Sequence, residues 1–316
     1  MAVGKNQPEI LSPVHLFSHG STMMLGEDSA SARYWEKCGE EALAHGIEHV
    51  IMMGAHWATP LSGGVLISAN PKPGKSPVAF VEPSKYKPYV LNPDIKYIPT
   101  IQNLLTSAGI PSELDPTFDW IHDTYLVLIR MFPHGCPPTT IISMNSLFDP
   151  HLHTAIGAAL RPLRAPQHKT LFIGSGGSVH NLFRNVWTPM LLYRDNFAQP
   201  TPPEQWALAF RQEVIDTFCA GATEHIPKDK AVYGKVIKSG RGVGGPALRR
   251  KVVSLMKHPR YRDAHATDDH FMANLWVGGL CGGEGDRDAE GVLGAEDWEL
   301  TNMCNTQFTI GSWEGY

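Results

Sequence analysis

Histidine is the residue type that could do chemistry in this chain, with 15 among 316 residues. Three of them follow short apolar runs. Val14-His-Leu-Phe17 stops at Ser18-His-Gly-Ser21, Glu48-His-Val-Ile-Met-Met53 stops at Gly54-Ala-His-Trp57, and Thr170-Leu-Phe-Ile-Gly-Ser-Gly-Gly-Ser-Val ends at His180. If each run is a strand of one parallel sheet, His19, His56 and His180 arrive at the same edge, the carboxyl end, where open α/β sheets keep their ligands. The stretch Ala264-His-Ala-Thr-Asp-Asp-His270-Phe adds His265 and His270 just before an apolar helix. A lone histidine beside an apolar run is more often structural than functional. Convergence changes that weighting, because three neutral imidazoles from separate elements suit a divalent first-row metal such as iron or zinc.

Asp268 and Asp269 are candidates to fix imidazole tautomers around such a metal. His122, flanked by Asp115, Asp119 and Asp123, reads equally well as a positioned acid, base or hydrogen-bond donor and as a partly exposed residue at a helix start. His15 lies inside a strand and reads as core. His45, His49, His134, His151, His153, His168, His225 and His258 read as surface or packing residues, and Arg241 to Gly245 as a solvated turn.

Other classes fall away on composition. The glycines at 174, 176 and 177 lack the Lys-Ser/Thr of a phosphate-cradling loop, and instead are expected to let a ligand approach the backbone closely. A formal charge of -4 and a pI near 6.4 offer no basic face for nucleic acid or an anionic membrane. No stretch approaches the roughly 20 apolar residues that span a bilayer, and residues 1–12 read as irregular with no signal-type apolar core, so a soluble cytoplasmic protein is expected. The five cysteines are odd in number, dispersed and without a Cys-x-x-Cys pair, which fits reduced structural thiols rather than a zinc-thiolate site.

The elements that must position the histidines alternate between strand and helix. Strands are expected at 14–17, 48–53, 65–67, 78–81, 139–144, 170–173 and 307–310. Helices are expected at 30–45, with Gly46 as its stop, and at 100–108, 121–131, 151–163, 203–220 and 273–280. Residues 82–99 read as a loop or cap on the side of the active site, 185–203 as an aromatic, proline-rich loop, and the segment before residue 307 as a Gly- and Asp-rich loop. This is an α/β pattern: one domain over 1–316, with a central, mostly parallel mixed sheet flanked by helices.

The motifs resemble the class III extradiol ring-cleavage dioxygenases, and within them the DOPA 4,5-dioxygenase-like branch. Ser18-His-Gly-Ser21 is similar to the family's Ser-His-Gly-Ser-Pro, Gly54-Ala-His-Trp57 to its Ser-Ala-His-Trp, and Gly174 to Leu182 to its Gly-Ser-Gly-x-x-x-His-Asn-Leu. Ala264 to Phe271 is similar to its Ala-His-Pro-Thr-x-Glu-His-Phe. The resemblance implies an α/β fold, one divalent metal per chain, Fe(II) for activity with Zn(II) possible as bound, and insertion of both atoms of O2 beside a catechol-type diol. It implies His19 and His56 as metal ligands and His270 as the third, with His265 its rival. It implies His180 as the acid/base residue facing the substrate, with a ligand role as the alternative, and His122 as a second histidine of the substrate pocket. The expected partners are a small aromatic diol and O2, and the expected assembly is a monomer or small homo-oligomer. The chain departs from the pattern where Ile121-His-Asp-Thr-Tyr125 stands for Asp-His-Gly-x-Trp, which places a carboxylate beside the pocket, and where Thr22 replaces a proline. Two other readings share the histidines: a zinc hydrolase working through metal-bound water, and a non-catalytic metal-binding relative.

Overall fold

The computed structural model describes residues 9–219 and 229–316; His225 and the expected end of a helix at Ala220 lie outside them. Seven strands form the main sheet: β1 (Val14–Ser18), β2 (His49–Met53), β3 (Thr139–Ile141), β4 (Thr170–Gly176), β5 (Gly234–Gly240), β6 (Gly291–Glu299) and β7 (Met303–Ile310). Their order is β3-β2-β4-β1-β7-β6-β5. The pairs β3/β2, β2/β4 and β4/β1 are parallel, and β1/β7, β7/β6 and β6/β5 antiparallel, so five of the seven strands point the same way. The expected α/β fold with a mostly parallel mixed sheet is therefore present.

The sheet is covered on both faces, which is why β1 and β4 read as nearly unbroken apolar runs and are buried throughout. Successive strand residues supply opposite layers. Leu16, Ile51 and Phe172 join a core with Phe210, Trp276 and Leu280, while Phe17, Met52 and Ile173 join one with Trp35, Tyr125 and Leu128. Four helices matter for the site: α1 (Ala30–Ala44), α2 (His122–Met131), α3 (Pro150–Leu160) and α4 (Asp269–Leu280). Ser29 caps α1 by accepting from Ala32 N, and Gly46 ends it at φ +69°, as its sequence position suggests. The helices α3 and α4 touch through glycine: a Cβ on Gly157 would lie 2.1 Å from the Trp276 carbonyl oxygen, and one on Gly279 2.1 Å from that of Thr154. Among the described residues, no helix is long and apolar enough to cross a membrane. All five cysteines are buried.

Several boundaries differ from expectation. Residues 78–81 are not a strand, and Phe80 adopts φ 65°, which extended backbone excludes. Val65–Ser68 is a strand, but it pairs with Ser112–Asp115 outside the main sheet. The run from 139 to 144 stops at Ile141, and Met144–Asn145 pairs with Ala58–Thr59 instead. A short helix, Thr188–Tyr193, interrupts the expected 185–203 loop. Part of the 82–99 excursion lies away from the site: Asp94 N donates to Thr139 O and its carboxylate pairs with His49, both at the amino ends of their strands. The largest miss is β6, read as loop because Glu296, Asp297 and Glu299 break its apolar pattern. Glu296 is buried 3.7 Å from Arg211, and Glu299 accepts from Ser21 N at 2.9 Å and Asn305 Nδ2 at 2.7 Å.

Candidate metal centre

The sheet delivers three histidines to its carboxyl edge as expected. His19 follows β1 directly, His56 lies just past β2 and His180 just past β4, while His122 opens α2 and His270 lies in the first turn of α4. All five rings meet. The His19 ring centroid lies 5.4 Å from that of His56, 5.1 Å from His270, and 6.3 Å from both His122 and His180. His56 is 4.5 Å from His122 and 4.9 Å from His270, and His180 stacks on His270 at 3.6 Å with 8° between the planes. Ring nitrogens of His19, His56 and His122 fall within 4.8 Å of one another, close enough to hold one ion.

Hydrogen bonds decide which nitrogen each ring turns toward the others. His56 Nδ1 lies 3.0 Å from Asp123 Oδ2, and His270 Nδ1 lies 3.0 Å from Asp269 Oδ1; each carboxylate accepts, so each Nδ1 carries the proton. His19 Nδ1 is 3.2 Å from Ser175 Oγ, whose own proton goes to the Asp123 carbonyl oxygen at 2.6 Å, so His19 must donate too. This leaves Nε2 of His19 and of His270 buried with no hydrogen-bond partner, a cost that native interiors seldom leave unanswered. His180 Nδ1 is likewise buried and unpartnered.

Burial sets the protonation of this cluster. It lowers the pKa of His19, His180 and His270 well below the ordinary imidazole value, with neighbouring imidazoles adding to the effect. His122 is lowered to about 4 by burial and by His56. His56 goes the other way: burial opposes its charge, yet the Asp123 carboxylate outweighs burial and raises it. Asp123 is held below the usual carboxylate range although burial pushes it up, because His56, His19 and His122 surround it. Neutral, tautomer-fixed imidazoles with unpartnered Nε2 atoms, as at His19 and His270, are donors that a borderline divalent metal requires, so these residues fit such an ion.

Two sequence expectations need correction. The glycines at the end of β4 make room for protein, not for a ligand: a Cβ on Gly174 would lie 2.8 Å from Val277 Cγ2, and one on Gly176 2.2 Å from the His270 carbonyl oxygen. They let α4 dock on the strand and so bring His270 in. Asp268 does not fix an imidazole either; it accepts from Tyr261 Oη and pairs with Arg262, leaving that task to Asp269. His265 turns its ring against Phe210, Tyr261 and Phe271, with Nε2 3.0 Å from Ser178 O. His15 is core, bonded to Thr309 at 2.9 Å. Ser175 was not singled out by sequence, although it is the serine of the Gly-Ser-Gly motif that opens the stretch from Gly174 to Leu182.

No family model matches the chain. Among curated proteins, it is 23% identical over 279 residues to a protein named 4,5-DOPA dioxygenase extradiol from Escherichia coli (strain K12), covering 86% of each chain. It is 29% identical over 224 residues to a protein of the same name from Beta vulgaris, covering 67% of this chain and 74% of that one. A third, from Portulaca grandiflora, is 29% identical over 170 residues, covering 52% of this chain and 60% of its own. Among solved structures, an uncharacterized protein from Escherichia coli K12 superposes with a TM-score of 0.64 at 21% identity, over 95% of this chain and 100% of that one, which speaks to fold alone. The sequence likeness to proteins named 4,5-DOPA dioxygenase extradiol thus runs over most of the chain, and the solved structure shares its fold.

Proposed function

We propose that the protein is a metal-dependent extradiol dioxygenase that opens a catechol-type ring beside its two hydroxyls and inserts both atoms of O2. The observation that carries this reading is the pair of buried, unpartnered Nε2 atoms on His19 and His270, in rings whose Nδ1 atoms are already committed. His19, His56 and His270 would hold Fe(II) through Nε2. His270 is preferred to His122 because Asp269 fixes its tautomer, and to His265 because that ring lies among aromatic side chains. The metal contributes, when bound, a common point at which a diol and O2 are held together.

The chain's own groups do the rest. His180, neutral because it is buried, accepts the second hydroxyl proton of the diol and returns it when the ring opens, acting as base and then acid. His122, half-buried beside His56, holds a substrate oxygen by hydrogen bond. The substrate class, an ortho-dihydroxy aromatic, follows from the names of the relatives.

The test is anaerobic loading with Fe(II), followed by catechol, DOPA or protocatechuate and then O2. The expected result is one O2 consumed per ring opened, with the yellow absorbance of a hydroxymuconic-semialdehyde-type product. No oxygen uptake with any of the three would overturn the proposal.

A further inference from the structure

We infer that Asp123 is a positioning residue for the metal, aiming two of its imidazoles at once, and that Gly54 exists to make room for it. This rests on the metal reading above but not on the reaction assigned to it. Asp123 opens α2 beside His122 and is buried, an unusual place for a carboxylate unless its oxygens are fully used. They are. Oδ2 accepts from Ala55 N at 2.5 Å, His56 N at 3.0 Å and His56 Nδ1 at 3.0 Å, so one oxygen holds both the backbone and the ring of His56. The carbonyl oxygen of the same residue accepts from Ser175 Oγ at 2.6 Å, and Ser175 Oγ in turn accepts from His19 Nδ1 at 3.2 Å. One residue therefore fixes the tautomers of two rings on neighbouring loops, by carboxylate on one side and by main chain on the other. Any shift of the start of α2 moves His19 and His56 together.

The space for this carboxylate is made by Gly54. A Cβ there would lie 2.4 Å from Asp123 Oδ2 and 2.8 Å from its Cγ, closer than non-bonded atoms pack, although Gly54 has no positive φ that would itself demand glycine. Charge argues the same way. An all-imidazole donor set leaves a divalent ion uncompensated, and Asp123 and Asp269 place one carboxylate behind His56 and another behind His270. The two charges balance the ion from one layer out, while the ligand atoms stay neutral.

The experiment uses the full chain stripped of metal and titrated with Co(II) alone, whose visible absorption reports both affinity and coordination geometry. Asp123→Asn keeps the shape and removes the charge; it is expected to weaken Co(II) binding about 10- to 100-fold, the usual effect of removing such a support. The spectrum at saturating Co(II) should also change, which a residue that merely stabilised the fold would not cause. Gly54→Ala leaves the carboxylate in the chain but pushes it aside, and is expected to weaken Co(II) binding in the same direction; it decides the matter if Asp123→Asn does not fold. Co(II) affinity and spectrum equal to wild type in the folded variant would overturn the inference, whether or not the enzyme cleaves catechols. Wild type that binds Co(II) but consumes no O2 with Fe(II) would overturn the reaction instead and leave Asp123 in this role.

Discussion

Each imidazole at the centre is defined less by its own position than by the group behind it. His180 differs from His19, His56 and His270 because no protein group holds its Nδ1. His180→Ala should therefore leave bound metal near wild-type level while lowering turnover about 10²- to 10⁴-fold, the range general acid/base groups supply. Metal content by elemental analysis beside the rate checks this, and loss of metal would make His180 a ligand. His270→Ala should instead empty the site, whereas His265→Ala should cost stability and spare the metal. Sequence spacing was enough to bring His19, His56 and His180 to one edge, because each follows an apolar run that could only be a strand. It flagged the carboxylate at 123 without its purpose, since the bonds to His56 and Ser175 join residues 67 and 52 positions apart. The fate of His265 was equally hidden, because its ring packs on Phe210 from a different helix.

Elements meet closely only where side chains are absent. Gly176 lets the first turn of α4 rest on β4, so Gly176→Ala should force α4 outward and carry His270 with it. Overpacking of this kind costs about 1–3 kcal/mol. The measurable result is a lower denaturation midpoint together with weaker metal binding, and retention of both would mean that the strand and helix separate without consequence. A parallel change at Gly157, in the α3–α4 contact, should lower the midpoint while affecting metal binding far less. The parallel half of the sheet was legible because its strands are buried on both faces and need no polar residues. In the antiparallel half the strand expected at 307–310 falls within β7, but β6 was not legible, since it carries acids whose partners Arg211, Ser21 and Asn196 come from distant segments. Buried charge satisfied at long range looks like loop when read locally.

For the molecule as a whole, holding so many histidines neutral makes stability depend on pH. Burial lowers His15 to about 3 and His265 to about 4. A depressed folded pKa means that the unfolded chain takes up protons first, so this stability is complete above pH ~6.5 and is lost as pH falls toward the folded values. At pH 5 each of the two should cost about 2 kcal/mol relative to pH 7.5, from 1.36 kcal/mol per unit of pKa difference. His56 acts with the opposite sign: its raised pKa contributes stability below pH ~6.5 that fades as pH rises through its folded value. Urea unfolding of the metal-free protein should show a lower midpoint at pH 5 than at pH 7.5. An equal or higher midpoint at pH 5 would mean the buried rings are not kept neutral.

The order of the sheet also has a consequence in time. β1, which carries His19 at its end, lies between β4 and β7, and Gln307 Nε2 donates to Ser18 O at 2.9 Å across 289 residues of chain. A ribosome adding 5–20 residues per second needs about 15 to 60 s to cover that distance. Throughout that interval the first strand has one edge without its partner, and the loop bearing His19 lacks the support it receives from Gln307 and Glu299. Four of the five central histidines are synthesised by residue 180, yet the centre they form belongs to the end of synthesis. Chains halted before Met303 should bind no metal, so a cell that supplies it too soon meets scattered imidazoles rather than a site.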